Sequence, residues 1–157
     1  PLLCGMAARK DYKMFFLGAA EGVAAKAAEN LIERYPGLQV VGTYSPPYGF
    51  EKDIAEMKKI EDIIKEAQPQ ILIVGLGCPK QEKFMWNNRK CLGVPVSLGL
   101  GASFDFEAEN IKRAPKWMQK CGLEWLFRIT QDPKRMFKRY IIDDMKIVRL
   151  IFKYREG

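Results

Sequence analysis

Four glycine-bearing segments in this 157-residue sequence have residue types that let backbone N–H groups approach a phosphate or a ribose. They are Gly18-Ala19-Ala20-Glu21-Gly22, Tyr44-Ser45-Pro46-Pro47-Tyr48-Gly49-Phe50, Gly75-Leu76-Gly77-Cys78-Pro79-Lys80-Gln81-Glu82 and Gly99-Leu100-Gly101-Ala102-Ser103-Phe104-Asp105. Any one of them reads equally well as a tight turn. Each follows a short apolar run, however, and ligands of parallel α/β sheets bind beyond the carboxyl ends of the strands, so four such loops on one edge point to a nucleotide-type crevice. Gly18, Tyr44, Gly75, Gly77 and Gly101 would shape it, and Lys80 and Gln81 would reach in as donors. Glu82 and Asp105 are its nearest carboxylates. Glu82 serves as well to complement a helix dipole, and Asp105 to cap local backbone; a binding role is favoured for Asp105. Arg113, Arg128, Arg135 and Arg139 suit a diphosphate, because guanidinium forks match phosphate oxygens bidentately, with a solvated basic face as the alternative.

The same residues exclude other chemistries. Gly75-Leu76-Gly77 resembles the start of a dinucleotide fingerprint, yet Lys80 stands where its third glycine belongs and no acidic residue ends the next strand to hold a ribose diol. There is no histidine, and Cys4, Cys78, Cys91 and Cys121 show no CxxC spacing, so a structural zinc site would lack its usual ligands; no cofactor and no metal ligand is assigned, and metal dependence stays open. Reduced thiols follow from that pattern. A general base would have to be a carboxylate or lie outside this chain.

These loops need elements to hold them. Lys13–Leu17 reads as a strand and Ala19–Tyr35 as a helix with Val23, Ala24, Ala27, Ala28, Leu31 and Ile32 on one face. Leu38–Tyr44 is a second strand, and about Asp53–Ala67 a second helix burying Ile54, Met57, Ile60, Ile63 and Ile64. Ile71–Val74 is a strand covered on both faces, a helix begins near Lys80, and Val94–Leu98 is a further strand. From about Asn110 the pattern turns to helices alone, over Pro115–Cys121, Leu123–Gln131 and Pro133 onward. Trp117, Trp125 and Phe127 read as core or docking residues rather than sugar platforms. The expected architecture is α/β, a Rossmann-like layered fold with a mainly parallel sheet over residues 1–110, followed by a helical C-terminal appendage over 111–157.

Charge separates the two parts. Residues 112–157 hold 13 of the 26 Lys and Arg but 5 of the 19 Asp and Glu, a net of +8, which leaves −1 for residues 1–111. The excess suits an anionic membrane surface, diphosphates or nucleic acid. Charges interrupt every hydrophobic run, so no spanning helix is expected. The opening Pro1-Leu2-Leu3-Cys4-Gly5 lacks the basic start and long apolar region of a signal peptide.

Several blocks together resemble the WecG/TagA/CpsF glycosyltransferase family. They are Val74–Lys83, Phe104-Asp105-Phe106, Lys112-Arg113-Ala114-Pro115, Gly122–Arg128 and Pro133–Tyr140, in the family's order and across nearly the whole chain. Tyr44-Ser45-Pro46-Pro47 with Gly49-Phe50 leans toward the TagA branch. The resemblance implies an inverting transfer of N-acetylmannosamine, or a related hexose, from a UDP-sugar to undecaprenyl-diphosphate-linked N-acetylglucosamine in wall teichoic acid or related synthesis. It implies catalytic roles for Gln81, Arg128, Arg135 and Arg139, the arginines carried over the active site by the appendage. It also implies a cytoplasmic protein, peripheral on the inner face of the bacterial cell membrane, and leaves a homo-oligomer open. Family members begin with a further segment carrying acceptor-binding residues and an aspartate proposed as the base. Nothing in this sequence corresponds to it, so residues 1–157 alone are expected to be inactive or nearly so. The family commonly has glycine at the position of Glu109, which implies a differently shaped loop before Arg113. Two other functions compete: an inactive UDP-sugar scaffold, and a nucleic-acid module, which lacks any groove-reading motif or base-stacking aromatic set.

Overall fold

Two uninterrupted apolar runs, Met14-Phe15-Phe16-Leu17 and Ile71-Leu72-Ile73-Val74, are what a strand tolerates only with both faces covered. The computed structural model, which describes residues 2–101, 103–110, 114–131 and 133, shows that covering. The runs form β1 (Lys13–Gly18) and β3 (Ile71–Gly75), paired in the middle of an all-parallel sheet. β2 (Gln39–Tyr44) and β4 (Val96–Gly99) lie outside them, giving the order β2-β1-β3-β4. Because successive side chains of a strand point to opposite faces, Met14, Phe16, Ile71 and Ile73 pack on one side against α1 (Leu2–Arg9) and α2 (Val23–Arg34). Phe15, Leu17, Leu72 and Val74 pack on the other against α3 (Ile54–Ala67) and α4 (Lys80–Leu92). Phe104 of α5 (Ser103–Glu107) joins the first layer, its ring centroid 5.1 Å from that of Phe16. Truncating a buried phenylalanine such as Phe16 costs about 3–5 kcal/mol.

Helix ends follow local chemistry. Asp53 caps α3 by accepting from Ala55 N at 2.9 Å and Glu56 N at 3.2 Å, an arrangement worth about 1 kcal/mol. α2 begins at Val23 instead of Ala19, since residues 19–22 are spent on a turn that ends with Gly22 in the left-handed region. Two expected core residues are on the surface: Ile54, the first residue of α3, is 86% exposed, and Ile32 is 42% exposed. Ile54 precedes the turn on which Met57, Ile60 and Ile64 meet the sheet layer, and Ile32 lies beyond the edge of the α2 stripe formed by Val23, Ala24, Ala27, Ala28 and Leu31. β4 runs two residues later than expected at its start, with Val94 packed instead against the α3–α4 layer. α1 and α5 were not expected. α1 is nearly uniform in apolarity, so it shows no period, and α5 has a single helical turn's worth of sequence.

The chain divides into two compact units, Pro1–Ile111 and Lys112–Gly157. In the second, α6 (Lys116–Lys120) and α7 (Glu124–Gln131) are joined by a turn in which Leu123 N donates to Met118 O at 2.8 Å. Trp117, Trp125 and Leu126 of this unit are exposed. The helix expected from Pro133 onward lies outside the described residues, apart from Pro133 itself, which is helical. No helix of the described residues is long and apolar enough to cross a membrane.

Candidate functional site

The strand register brings the loop residues level along one sheet edge. Gly18 pairs with Gly75, Leu17 with Tyr44, and Val74 with Gly99. The strand order reverses at β1, with β2 on one side and β3 on the other. Ligand crevices of open α/β sheets form at such a switch.

Gly18 is fixed here by backbone approach and Gly75 by an aromatic ring. A Cβ on Gly18 would stand 2.6 Å from Gly75 O, its φ is +113°, and the neighbouring Ala19 N donates to that same oxygen at 2.9 Å. A Cβ on Gly75 would stand 2.5 Å from the Phe104 ring. Gly77 differs: its φ is +79°, the space where a Cβ would stand is open, and its carbonyl accepts from Gln81 N at 2.9 Å. Ser45, which sequence reasoning did not single out, ties two of the loops together by donating to Gly18 O at 3.1 Å and Ala20 O at 3.2 Å.

The first turn of α4 sends its side chains in two directions. Gln81 is buried, and its Nε2 donates to Glu82 Oε1 at 2.9 Å. It packs so closely on the loop after β4 that a Cβ on Gly99 would lie 2.8 Å from Nε2, while a Cβ on Gly101 would lie 3.9 Å from Oε1. Gln81 Oε1 is buried without a hydrogen-bond partner among the described residues. A buried, unmade hydrogen bond costs roughly 1–3 kcal/mol, so this oxygen is poised to accept from a hydroxyl or N–H group. The sequence had it as a donor; the structure commits one of its N–H bonds to Glu82 and leaves the carbonyl available. Gly99 was read only as part of its loop, though the Gly99-Leu100-Gly101 spacing was the visible signal for a close approach there.

Lys80 goes the other way. Its Nζ lies 2.8 Å from Glu51 Oε1 and 5.1 Å from the Tyr48 ring centroid. The hydrogen bond from Lys80 holds the Glu51 carboxyl below the usual carboxylate range. Tyr44 is engaged by α3: its hydroxyl donates to Glu56 and accepts from Lys59 Nζ at 2.7 Å, a contact that raises the Lys59 ammonium above its ordinary value. Asp105 sits half-buried on α5. That helix is anchored through Glu107, whose carbonyl accepts from Asn30 at 2.8 Å and whose carboxylate pairs with Arg34 at 2.6 Å. Just beyond it, Glu109 has φ 61°, so its backbone takes the left-handed shape that glycine favours. The structure thus brings together Gly77, Gln81, Glu82, Gly99 and Gly101, and sets Tyr44 and Lys80 among residues of the α3 side. Arg113, Arg135, Arg139 and the side chain of Arg128 lie outside the described residues.

A sequence profile described as the glycosyl transferase WecG/TagA/CpsF family matches residues 1–157. The chain belongs to this family. Among curated relatives of this WecG/TagA/CpsF chain, three carry the name N-acetylglucosaminyldiphosphoundecaprenol N-acetyl-beta-D-mannosaminyltransferase. The one from Bacillus subtilis is 36% identical over 133 residues, 85% of this chain and 50% of the relative. That from Bacillus spizizenii is 33% identical over 155 residues, 99% of this chain and 57% of the relative. That from Staphylococcus aureus is 32% identical over 124 residues, 79% of this chain and 46% of the relative. The WecG/TagA/CpsF chain therefore spans about half the length of the curated relatives it matches.

Proposed function

We propose that this chain is the UDP-sugar-binding and C-terminal part of a glycosyltransferase that moves N-acetylmannosamine, or a related hexose, onto undecaprenyl-diphosphate-linked N-acetylglucosamine in wall teichoic acid or related surface polysaccharide synthesis. The observation that carries the reading is the unpartnered Gln81 oxygen beside Gly99 and Gly101, at the carboxyl edge of a parallel sheet in a family of glycosyltransferases. The acceptor in the relatives' names supplies the substrate class.

In an inverting transfer the acceptor hydroxyl loses a proton as it attacks, and negative charge grows on the departing diphosphate. Gln81 orients a hydroxyl or amide of the bound donor through its free oxygen. The backbone at Gly77 offers its open side to a phosphate, and Asp105 holds the nucleoside. Arg128, Arg135 and Arg139 take the charge of the leaving diphosphate, with Arg113 a further contact, and the base comes from outside this chain. The basic residues 112–157 attach the protein to the anionic inner surface of the cell membrane.

Titration calorimetry with UDP tests the nucleotide assignment. Binding is expected to weaken by about tenfold or more in Gln81→Ala and in Asp105→Ala, since leaving the ligand's hydrogen-bonding group unsatisfied in a buried site costs about 1–3 kcal/mol. Unchanged affinity in both variants would place the nucleotide elsewhere.

A further inference from the structure

On the side of α4 to which Lys80 points, a cavity of about 500 Å³ opens between the 3-10 turn Phe50–Lys52, α3 and α4. That volume falls in the range of small-molecule sites. Four of its lining residues are apolar. The buried rings of Phe50 and Phe84 meet edge to face with centroids 6.0 Å apart, and Met57 and Pro79 extend the surface. Lys80, Lys83, Glu51, Asn87 and Asn88 supply the polar part of the lining. The Lys80 ammonium is shared with Glu51, whereas that of the exposed Lys83 has no partner among the described residues. Two further residues give the mouth its character. Tyr48 is fully exposed beneath the Lys80 ammonium, and Ile54, one turn before Met57 on α3, is 86% exposed.

Single exposed apolar residues are ordinary on a protein surface. Here Tyr48 lies under one lining lysine and Ile54 one turn from the lining Met57, beside a largely apolar cavity that carries an unpaired cation, a combination complementary to a ligand with a greasy body and an anionic head. No glycine is in the cavity's lining, whereas the space around Gln81 is bordered by Gly99 and Gly101. Successive helical residues project about 100° apart, so Lys80 and Gln81 serve different spaces on either side of the start of α4.

We propose that this cavity binds the isoprenoid diphosphate portion of the acceptor, with the first isoprene units against Phe50, Met57 and Phe84 and the diphosphate on Lys83 and Lys80. The inference rests on the acceptor class given under the proposed function and adds the place where its lipid end is held. Lys80 bridges the arriving diphosphate and Glu51, which also lines the cavity, and Lys83 supplies the second positive charge that offsets the carboxylate. The tail then leaves past Ile54 and Tyr48.

Farnesyl diphosphate, a short soluble isoprenoid diphosphate, is the probe, titrated calorimetrically into the 157-residue chain beside inorganic diphosphate and UDP. It is expected to bind at least about tenfold more tightly than inorganic diphosphate, since a few buried methylenes at about 0.8 kcal/mol each exceed that factor. Lys83→Glu and Ile54→Ser, both at exposed positions, are each expected to weaken it by about tenfold while leaving UDP affinity unchanged, and Lys83→Arg to restore it. Saturating UDP should leave farnesyl diphosphate bound. Equal affinity for farnesyl diphosphate and inorganic diphosphate, no loss in Lys83→Glu, or displacement by UDP would each overturn the assignment. Loss of UDP binding in Gln81→Ala without loss of farnesyl diphosphate binding supports two separate spaces. A chain that binds farnesyl diphosphate in this pattern but not UDP keeps the cavity and rejects the nucleotide reading.

Discussion

Gln81→Met should make the protein more stable and a poorer binder of UDP. Methionine keeps nearly the volume of glutamine, so the contact with the loop at Gly99 is retained, but the buried oxygen without a partner is removed. Relief of that group is worth roughly 1–3 kcal/mol. Against it stands the lost hydrogen bond to Glu82, about 1 kcal/mol, and Glu82 is exposed and regains water. The net expectation is a gain of about 0–2 kcal/mol. Urea unfolding of the α/β unit, followed by circular dichroism, measures it as a rise in midpoint at constant slope. UDP affinity, read by calorimetry on the same preparation, should fall by about tenfold or more, because the oxygen is assigned to the donor. Such opposition between stability and binding marks a residue kept for function. A loss of stability beyond about 1 kcal/mol would show that Gln81 is a packing residue whose oxygen is satisfied in solution, and the reasoning would fail.

Other outcomes follow from the same geometry. Gly18→Ala should destabilise by about 2–4 kcal/mol, as its Cβ meets Gly75 O at 2.6 Å with φ +113°, whereas Gly49→Ala, with open space beside it, should cost about 1 kcal/mol; urea unfolding separates the two. Glu109→Gly should stabilise by about 1 kcal/mol, since the left-handed backbone there no longer carries a side chain. The Glu51 carboxyl, held below the 4.5 of a free glutamate chiefly by its hydrogen bond from Lys80, should keep its ion pair above that pH and lose it as pH falls through the depressed value; a carboxyl NMR titration in wild type and Lys80→Met would show the difference, and identical curves would remove the pair. Sedimentation with anionic liposomes should fall steeply with salt and with charge reversal at Lys146, Arg149 and Lys153, leaving UDP binding intact; equal binding to neutral lipid would reject membrane attachment by charge.

The two central strands, β1 and β3, were legible because burial on both faces leaves a signature that survives in one dimension: apolar runs of four ending in glycine. The helices α2, α3 and α4 were legible through period and punctuation, Asp53 and Pro79 marking two of the starts. Ile54 and Ile32 misled because period assigns a residue to a stripe without saying how far the opposing layer reaches. Lys80 and Gln81 could not be separated in sequence, where they are neighbours; only the helix phase sends one to Glu51 and the other to Gly99. Tyr44 likewise looked like a loop residue, and its hydroxyl is taken up by Glu56 and Lys59 one helix away. Glu109 takes a left-handed backbone that sequence pattern does not announce at a glutamate, and the chain bears the strain there.

The contact of Gly75 with Phe104 sets a rule for how this protein can change over generations. Any side chain at position 75 needs the space held by the Phe104 ring, which is itself stacked on Phe16 in the sheet layer. A lineage that gains a Cβ at 75 must therefore shrink the residue at 104 first, and in doing so loosens the helix that carries Asp105. The two positions, 29 apart in sequence, should drift together or not at all, so that a loop at the sheet edge and a helix beyond the next strand share one evolutionary fate.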